Sequence, residues 1–111
     1  MHDVKTFRVS GEPIEVLVPG EATGGFSTTL TQISPPGGGP PPHSHTNEDE
    51  TFYVLEGEYE FLNNGAWRKA EPGRAVHAKR GSVNTFRRAH TFRKAGTTAG
   101  KMLVHVSPAG R

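Results

Sequence analysis

The chain alternates short strand-prone runs with turn sequences along its length, and this rhythm limits the fold more than any other feature. The runs recur at a spacing of about ten residues, which is typical of all-β sandwiches and barrels. They read VKTFRV, IEVLV, FSTTLTQI, TFYVL, EYEFL, RAVHA, NTFRR, HTFRK and KMLVHV. Turn signals such as VPGEATGG, NNG and AEPG separate them, and the chain holds 14 Gly and 9 Pro. No window keeps a helical period, so the sequence predicts an all-β fold.

The length of 111 residues suits one domain, and we expect residues 1–111 to form a single unit. The Gly- and Pro-rich stretch 34–42 is interpreted as a stiff loop, because the segment before it is too short to fold alone. The chain has no Cys, which excludes disulfides and thiolate ligands. No apolar run resembles a signal peptide or reaches membrane-spanning length, so we expect a cytoplasmic protein with no membrane partner.

The charge of the chain is unevenly distributed. Residues 1–67 carry ten acidic and two basic side chains, whereas residues 68–111 carry eleven basic and one acidic side chain. A basic arm for nucleic acid would concentrate its bases in a tail with stacking aromatics, but these bases are spread through strand-like sequence. We therefore expect the two halves to interleave in the fold, with no nucleic-acid partner.

The segment PPHSHTNEDETFYVLEGEYEF contains the chemistry of the chain. His43 and His45 are two residues apart and would share one face of an extended strand. A turn through 46–49 would then bring Glu50 beside them. Two imidazoles and one carboxylate form a set that binds divalent transition metals and leaves positions open for other ligands. From these residues alone, a solvated histidine pair beside an acidic turn is the favoured interpretation. Glu48 and Asp49 could also bind a metal, but they are interpreted as part of a hydrated turn.

The wider spacing resembles a known motif. The run Gly37-x5-His43-x-His45-x4-Glu50-x6-Gly57 is similar to the first cupin signature at every specified position. This resemblance implies a double-stranded β-helix, or jelly roll, with a metal at the barrel mouth. It also implies that His43, His45 and Glu50 are metal ligands and that Gly57 forms a tight turn. The metal would be divalent Fe, Mn, Ni, Co or Zn.

The second cupin signature, over 73–94, is altered in this chain. Counting from Gly73, the position of the fourth ligand is held by Asn84 and not by histidine. Read from the other end, His90 begins a run that resembles the usual continuation of the motif. The segments NTFRRA and HTFRKA look like a short tandem repeat, which explains the offset of six residues. Imidazole is the better ligand, so we predict His90 at the metal, with Asn84 as the alternative. A site with three protein ligands and an extra water is a third possibility.

Other residues are assigned from their positions in the strand-like runs. His77 is interpreted as a partly buried, hydrogen-bonded residue and not as a ligand. Asn64 and Gly65 predict a hairpin, because both residues tolerate positive φ. An apolar pocket above the metal is expected from Phe52 and Val54, with contributions from among Phe26, Leu30, Phe61 and Phe86.

The function follows less directly, because sites and not folds determine chemistry. The chain looks most like the quercetin-dioxygenase-like group of single-domain cupins. That resemblance implies a metal-dependent dioxygenase acting on a small aromatic or enolic substrate, with Glu50 also serving as a base. Two alternatives stay open: a non-catalytic sensor that binds a small molecule, and a metal-dependent isomerase or lyase of a sugar or keto acid. The family also implies a homodimer.

Overall fold

The computed structural model describes residues 4–9, 12–35, 43–44, 47–63, 65–80, 83–88 and 100–108. The elements in these ranges are strands, apart from one short 3-10 turn at Gly20–Thr23. The strands are β1 (Lys5–Val9), β2 (Glu12–Val18), β3 (Thr28–Ser34), β4 (His43–Ser44), β5 (Asp49–Glu56), β6 (Tyr59–Asn63), β7 (Ala66–Ala70), β8 (Ala75–Ala78), β9 (Val83–Arg88) and β10 (Gly100–Ser107). The predicted all-β fold is therefore confirmed. The strand-like run HTFRK, at 90–94, lies outside the described ranges.

The strands form two antiparallel sheets. The larger has the order β1-β2-β3-β10-β5-β8, and the smaller has the order β4-β9-β6-β7. Strand β10 lies between β3 and β5, so the basic C-terminal half interleaves with the acidic N-terminal half, as the charge distribution predicts. From β3 to β10 the chain crosses from one sheet to the other at every step except the β6–β7 hairpin, which fits the jelly-roll, or double-stranded β-helix, arrangement.

Two glycines show why the strands end where they do. Gly57, between β5 and β6, has φ 78°, and Gly65, between β6 and β7, has φ 85°. Residues with a side chain rarely adopt this left-handed conformation, so glycine is favoured at both turns. The pairing of Asn63 with Ala66 leaves two residues in the hairpin, as the Asn-Gly pair predicts.

The core lies between the two sheets. The larger sheet contributes Phe52, Val54, Ala78, Met102, Val104 and Val106, and the smaller sheet contributes Tyr59, Phe61 and Ala70. Leu30 packs against this cluster. The expected inward positions of Phe52, Val54 and Phe61 are thus confirmed. Phe26 does not join the core: it is 74% exposed, because it lies in the bend after the 3-10 turn, before β3 begins.

Within the described ranges, the chain contains no helix with the length and hydrophobicity needed to cross a membrane.

Candidate metal and ligand site

Glu50 lies at the start of β5, on the face that is directed at the smaller sheet. Phe52 and Val54 follow at two-residue intervals on the same face and are 5% and 0% exposed. Across the sheet, Glu50 pairs with Val106 of β10 and Ala78 of β8, and both of these neighbours are buried. We call these three residues the Glu50 row. Its half-buried carboxylate is therefore flanked within the sheet by apolar side chains.

His43 belongs to a corresponding row of the smaller sheet. His43 of β4 pairs with Asn84 of β9, and Asn84 pairs on its other side with Asn63 of β6. Residues directly opposite one another in an antiparallel sheet share a face. Along β6 this row stands two residues beyond the buried Phe61, at the end of the strand. We call it the His43 row.

The chain links the two rows at one end of the fold. Only residues 45–48 join Ser44 of β4 to Asp49 of β5, and only 79–82 join Ala78 of β8 to Val83 of β9. Packed sheets lie about 10 Å apart, so such short links keep the rows at the same end of the sandwich. One step deeper, the rings of Phe52 and Phe61 meet across the sheets with centroids 5.3 Å apart. The two rows thus lie above an aromatic floor.

The residues on either side of Glu50 are anchored on the outer face of the larger sheet. Asp49 Oδ1 accepts hydrogen bonds from the Arg80 backbone N–H at 2.7 Å and from Arg80 Nε at 3.1 Å. Asp49 Oδ2 accepts a further bond from Arg80 Nη2 at 3.4 Å. These hydrogen bonds, with the positive charge of Arg80, lower the pKa of the Asp49 carboxyl from its usual 3.8. The interpretation of Asp49 as part of a hydrated turn was therefore wrong, because this residue begins β5 and has a defined ionic partner.

On the other side of Glu50, Thr51 Oγ1 lies 2.9 Å from His77 Nδ1. His77 is hydrogen-bonded as predicted, but it is exposed and not partly buried. It alternates with the core-directed Val76 and Ala78 along β8 and so takes the outer face. The same outer row contains a second pair of this kind, in which Thr29 Oγ1 lies 3.1 Å from His105 Nδ1.

Several predicted site residues lie outside the described ranges, namely Gly37, His45 and His90. The assignments of His45 and His90 as ligands therefore stay predictions.

The course of β9 bears on which residue holds the fourth ligand position. Asn84 is level with His43, and the strand then runs past Phe86 to Arg88, which pairs with Tyr59. Four residues of strand span about 13 Å, so β9 has carried the chain away from the His43 row by the time it ends at Arg88.

Asn63 is a candidate site residue that sequence reasoning missed. It ends β6 next to the hairpin and is the direct partner of Asn84. The hairpin signal was recognised in the sequence, and it indicates that Asn63 is the last residue of the strand before the turn, two residues after Phe61. What the sequence could not supply was the pairing of β6 with β9, which is a contact between distant segments.

The side chains at these positions can be compared with the ligands that metals prefer. Among the described residues alone, no group of three or more His, Asp or Glu side chains could hold a metal ion. That set does not include His45, which lies between the two rows in the chain. Taken with His43 and Glu50, His45 completes two imidazoles and one carboxylate, which is a suitable donor set for late first-row divalent metals. By donor chemistry alone, the residue types at positions 43, 45 and 50 therefore suit a metal of that class.

The comparison with known families agrees with the fold. Residues 30–106, more than half of the chain, match the cupin domain family. Among curated proteins, none matches the chain in sequence.

Solved structures with the same fold are numerous and chemically varied. A predicted oxalate decarboxylase from Thermotoga maritima has 23% identity and a TM-score of 0.79, covering 96% of this chain and 94% of that one. KdgF from Halomonas sp. has 19% identity and a TM-score of 0.77, with 96% and 86% covered. The polyketide cyclase RemF from Streptomyces resistomycificus has 22% identity and a TM-score of 0.76, with 96% and 77% covered. At these identities the likeness shows the fold alone.

Proposed function

Because the chain belongs to the cupin family, we propose that it binds a divalent transition metal and a small molecule at the end of the fold where the two rows meet. We propose further that it is a metal-dependent dioxygenase of a small aromatic or enolic substrate. The proposal rests mainly on the two short links between the sheets, 45–48 and 79–82, together with the contact between the rings of Phe52 and Phe61. Together they support a site between Glu50 and His43.

In this proposal the metal is held by His43, His45 and Glu50. Such a metal, when bound, would supply Lewis-acid and redox chemistry and coordinate the oxygen atoms of a chelating substrate. Fe, Mn, Ni, Co and Zn all suit the donor set, but Zn would supply Lewis-acid chemistry alone, because Zn²⁺ has no redox chemistry. The three ligands must be deprotonated to bind, so occupancy should fall in acid.

The fourth position is proposed to be Asn84. Its pairing with His43 supports this choice, as does the course of β9 away from the His43 row. An amide oxygen is a weak ligand compared with imidazole. A site closed by Asn84 would therefore have three strong protein ligands and more room for a substrate that binds through two oxygens. His90 is the competing residue, and the variants Asn84→Ala and His90→Ala distinguish the two by their effect on metal content.

The other residues of the site suit an apolar, chelating substrate. Phe52 and Phe61 form a floor that excludes water from below, and Val106 and Ala78 give Glu50 apolar flanks. A flat ring or an enolic carbon chain would pack on this surface, with its oxygens directed at the ligand set. Glu50 could take the proton of an enol hydroxyl, since a carboxylate next to the bound oxygen is within reach of that proton. In the overall reaction both atoms of O2 enter the product, and the substrate is the reductant.

The test is O2 uptake with a flavonol or a β-diketone as substrate, using protein loaded with each metal in turn. Turnover by the wild type that is lost in Glu50→Gln and His45→Ala, and kept in a surface variant such as Arg68→Gln, would support the oxygenase. Turnover of an aldose or a keto acid without O2 uptake would instead identify an isomerase or lyase. Tight binding of substrate with no turnover would identify a sensor. We also propose a cytoplasmic homodimer, which light scattering of the purified protein would test for its oligomeric state.

A further inference from the structure

Two outer-face pairs hold the residues on either side of Glu50, and we infer that they act as a positioning clamp for its carboxylate. The clamp consists of Asp49 with Arg80 and of Thr51 with His77. None of these side chains belongs to the proposed ligand set. The inference rests on the proposed function, since it concerns the same metal site.

The alternation of β5 is the first step of the argument. Asp49 and Thr51 point to the outer face, whereas Glu50 between them points to the core-directed face. Glu50 is only the second residue of β5, and strand ends are where a sheet opens most easily. Its neighbours in the Glu50 row, Val106 and Ala78, have no side-chain hydrogen-bonding group with which to orient a carboxylate. The backbone of Glu50 is paired with strands on both sides, and the contacts of Asp49 and Thr51 add to what fixes its position.

The two pairs hold β5 to different parts of the chain. Thr51 is bonded to His77, its direct neighbour on β8, so this pair fixes β5 against β8 within the sheet. Asp49 is bonded to the backbone and the side chain of Arg80, which lies in the link 79–82 between the sheets. That link leads directly into β9 and the position of Asn84. Asp49 therefore connects the start of β5 to the link that precedes β9, the strand that contains Asn84 of the His43 row.

Metal sites need this kind of support, because ligands must be held within about 0.5 Å of the productive geometry. Loss of an outer partner that orients a ligand typically reduces metal affinity by about 10- to 100-fold. The clamp acts through the backbone and not through a direct bond to the ligand, so we expect an effect at the lower end, about 10-fold, for loss of either pair.

The outer row offers a matched control for the experiment. Thr29 and His105 form a pair of the same chemistry on the same row that joins β3 to β10. Neither residue is next to a predicted ligand in sequence, and His105 lies directly opposite Thr51, so the control shares the surroundings of the clamp. Thr51→Val and Thr29→Val therefore each remove one threonine-to-histidine hydrogen bond of similar length. Thr51→Ser keeps the hydroxyl and serves as the rescue variant. Asp49→Asn tests the second pair independently.

The measurement is a titration of each purified apo-protein with Co²⁺, followed by visible absorption, with the melting temperature recorded for the same samples. We expect Thr51→Val and Asp49→Asn to bind Co²⁺ about 10-fold more weakly than the wild type and with an altered absorption band. Thr29→Val and Thr51→Ser should keep the wild-type affinity and band. Equal affinities in Thr51→Val and Thr29→Val, at equal losses of melting temperature, would overturn the inference. A wild type that binds no Co²⁺ would instead overturn the proposed metal site on which the inference rests.

Discussion

The contact between Phe52 of the larger sheet and Phe61 of the smaller sheet fixes how the two sheets are aligned. The energy of this contact can be measured with a double-mutant cycle. The two side chains are 5% and 4% exposed, and their rings are tilted by 49° with centroids 5.3 Å apart. Aromatic pairs of this geometry contribute about 0.5–1.5 kcal/mol beyond the area they bury. Replacement of either residue by Leu keeps an apolar side chain in the core but removes this specific term.

We expect Phe52→Leu and Phe61→Leu each to lower the free energy of unfolding by about 1–2 kcal/mol, which is usual for core substitutions that retain most of the apolar volume. The double variant should lose less than the sum of the two single losses, and the difference should equal the pair term of about 0.5–1.5 kcal/mol. Phe26→Leu is the control, because Phe26 is 74% exposed and its replacement should change stability by less than about 0.5 kcal/mol.

The assay is urea unfolding of the metal-free protein, followed by tryptophan fluorescence and circular dichroism so that two probes test for a single transition. Additivity within about 0.3 kcal/mol would mean that the two rings do not interact. That result would refute the placement of the Glu50 row opposite the His43 row, because this contact lies directly beneath both.

Three further predictions follow from local geometry. Gly65→Ala should cost about 1–2 kcal/mol in urea unfolding, because φ is 85° while nothing lies within 4 Å of an added Cβ, so the cost is that of the left-handed backbone. Ser34→Ala should cost about 1–2 kcal/mol in the same assay, because Ser34 Oγ donates at 3.0 Å to the buried carboxylate of Glu12. Because the pKa of Asp49 is lowered in the folded state, its pairing with Arg80 stabilises the fold above about pH 3.8. That stabilisation is lost as the pH falls through the lower pKa of the folded state. Melting temperatures of Asp49→Asn should therefore lie below the wild type at neutral pH and converge with it in strong acid.

Much of the fold could be predicted from the sequence because its signals are local. Asn64 and Gly65 predicted the hairpin between β6 and β7, and the alternation of Phe52 and Val54 predicted the buried face of β5. The exposure of Phe26 was not predictable in this way. The run FSTTLTQI has strand character throughout, but the strand begins only at Thr28, because hydrogen bonds from the backbone N–H groups of Phe26 and Ser27 back to Thr23 hold the chain in a bend.

The candidate site was predictable to a smaller extent, for a physical reason. The motif of His43, His45 and Glu50 is contiguous in sequence, so its spacing could be recognised. The roles of Asn63, Asp49 and the other residues around it depend on pairing between distant strands. Nothing in the local sequence connects Asp49 to Arg80, which is 31 residues away, and the fold alone brings them together.

The central claim is a divalent metal held by His43, His45 and Glu50, and metal analysis of the purified protein tests it most directly. Protein prepared under metal-replete conditions should carry close to one equivalent of Fe, Mn, Ni, Co or Zn per chain. His43→Ala, His45→Ala and Glu50→Gln should each lose most of it while circular dichroism shows that they remain folded, and Arg68→Gln should retain it. A wild type that carries no metal after reconstitution, or ligand variants that retain full occupancy, would contradict the account.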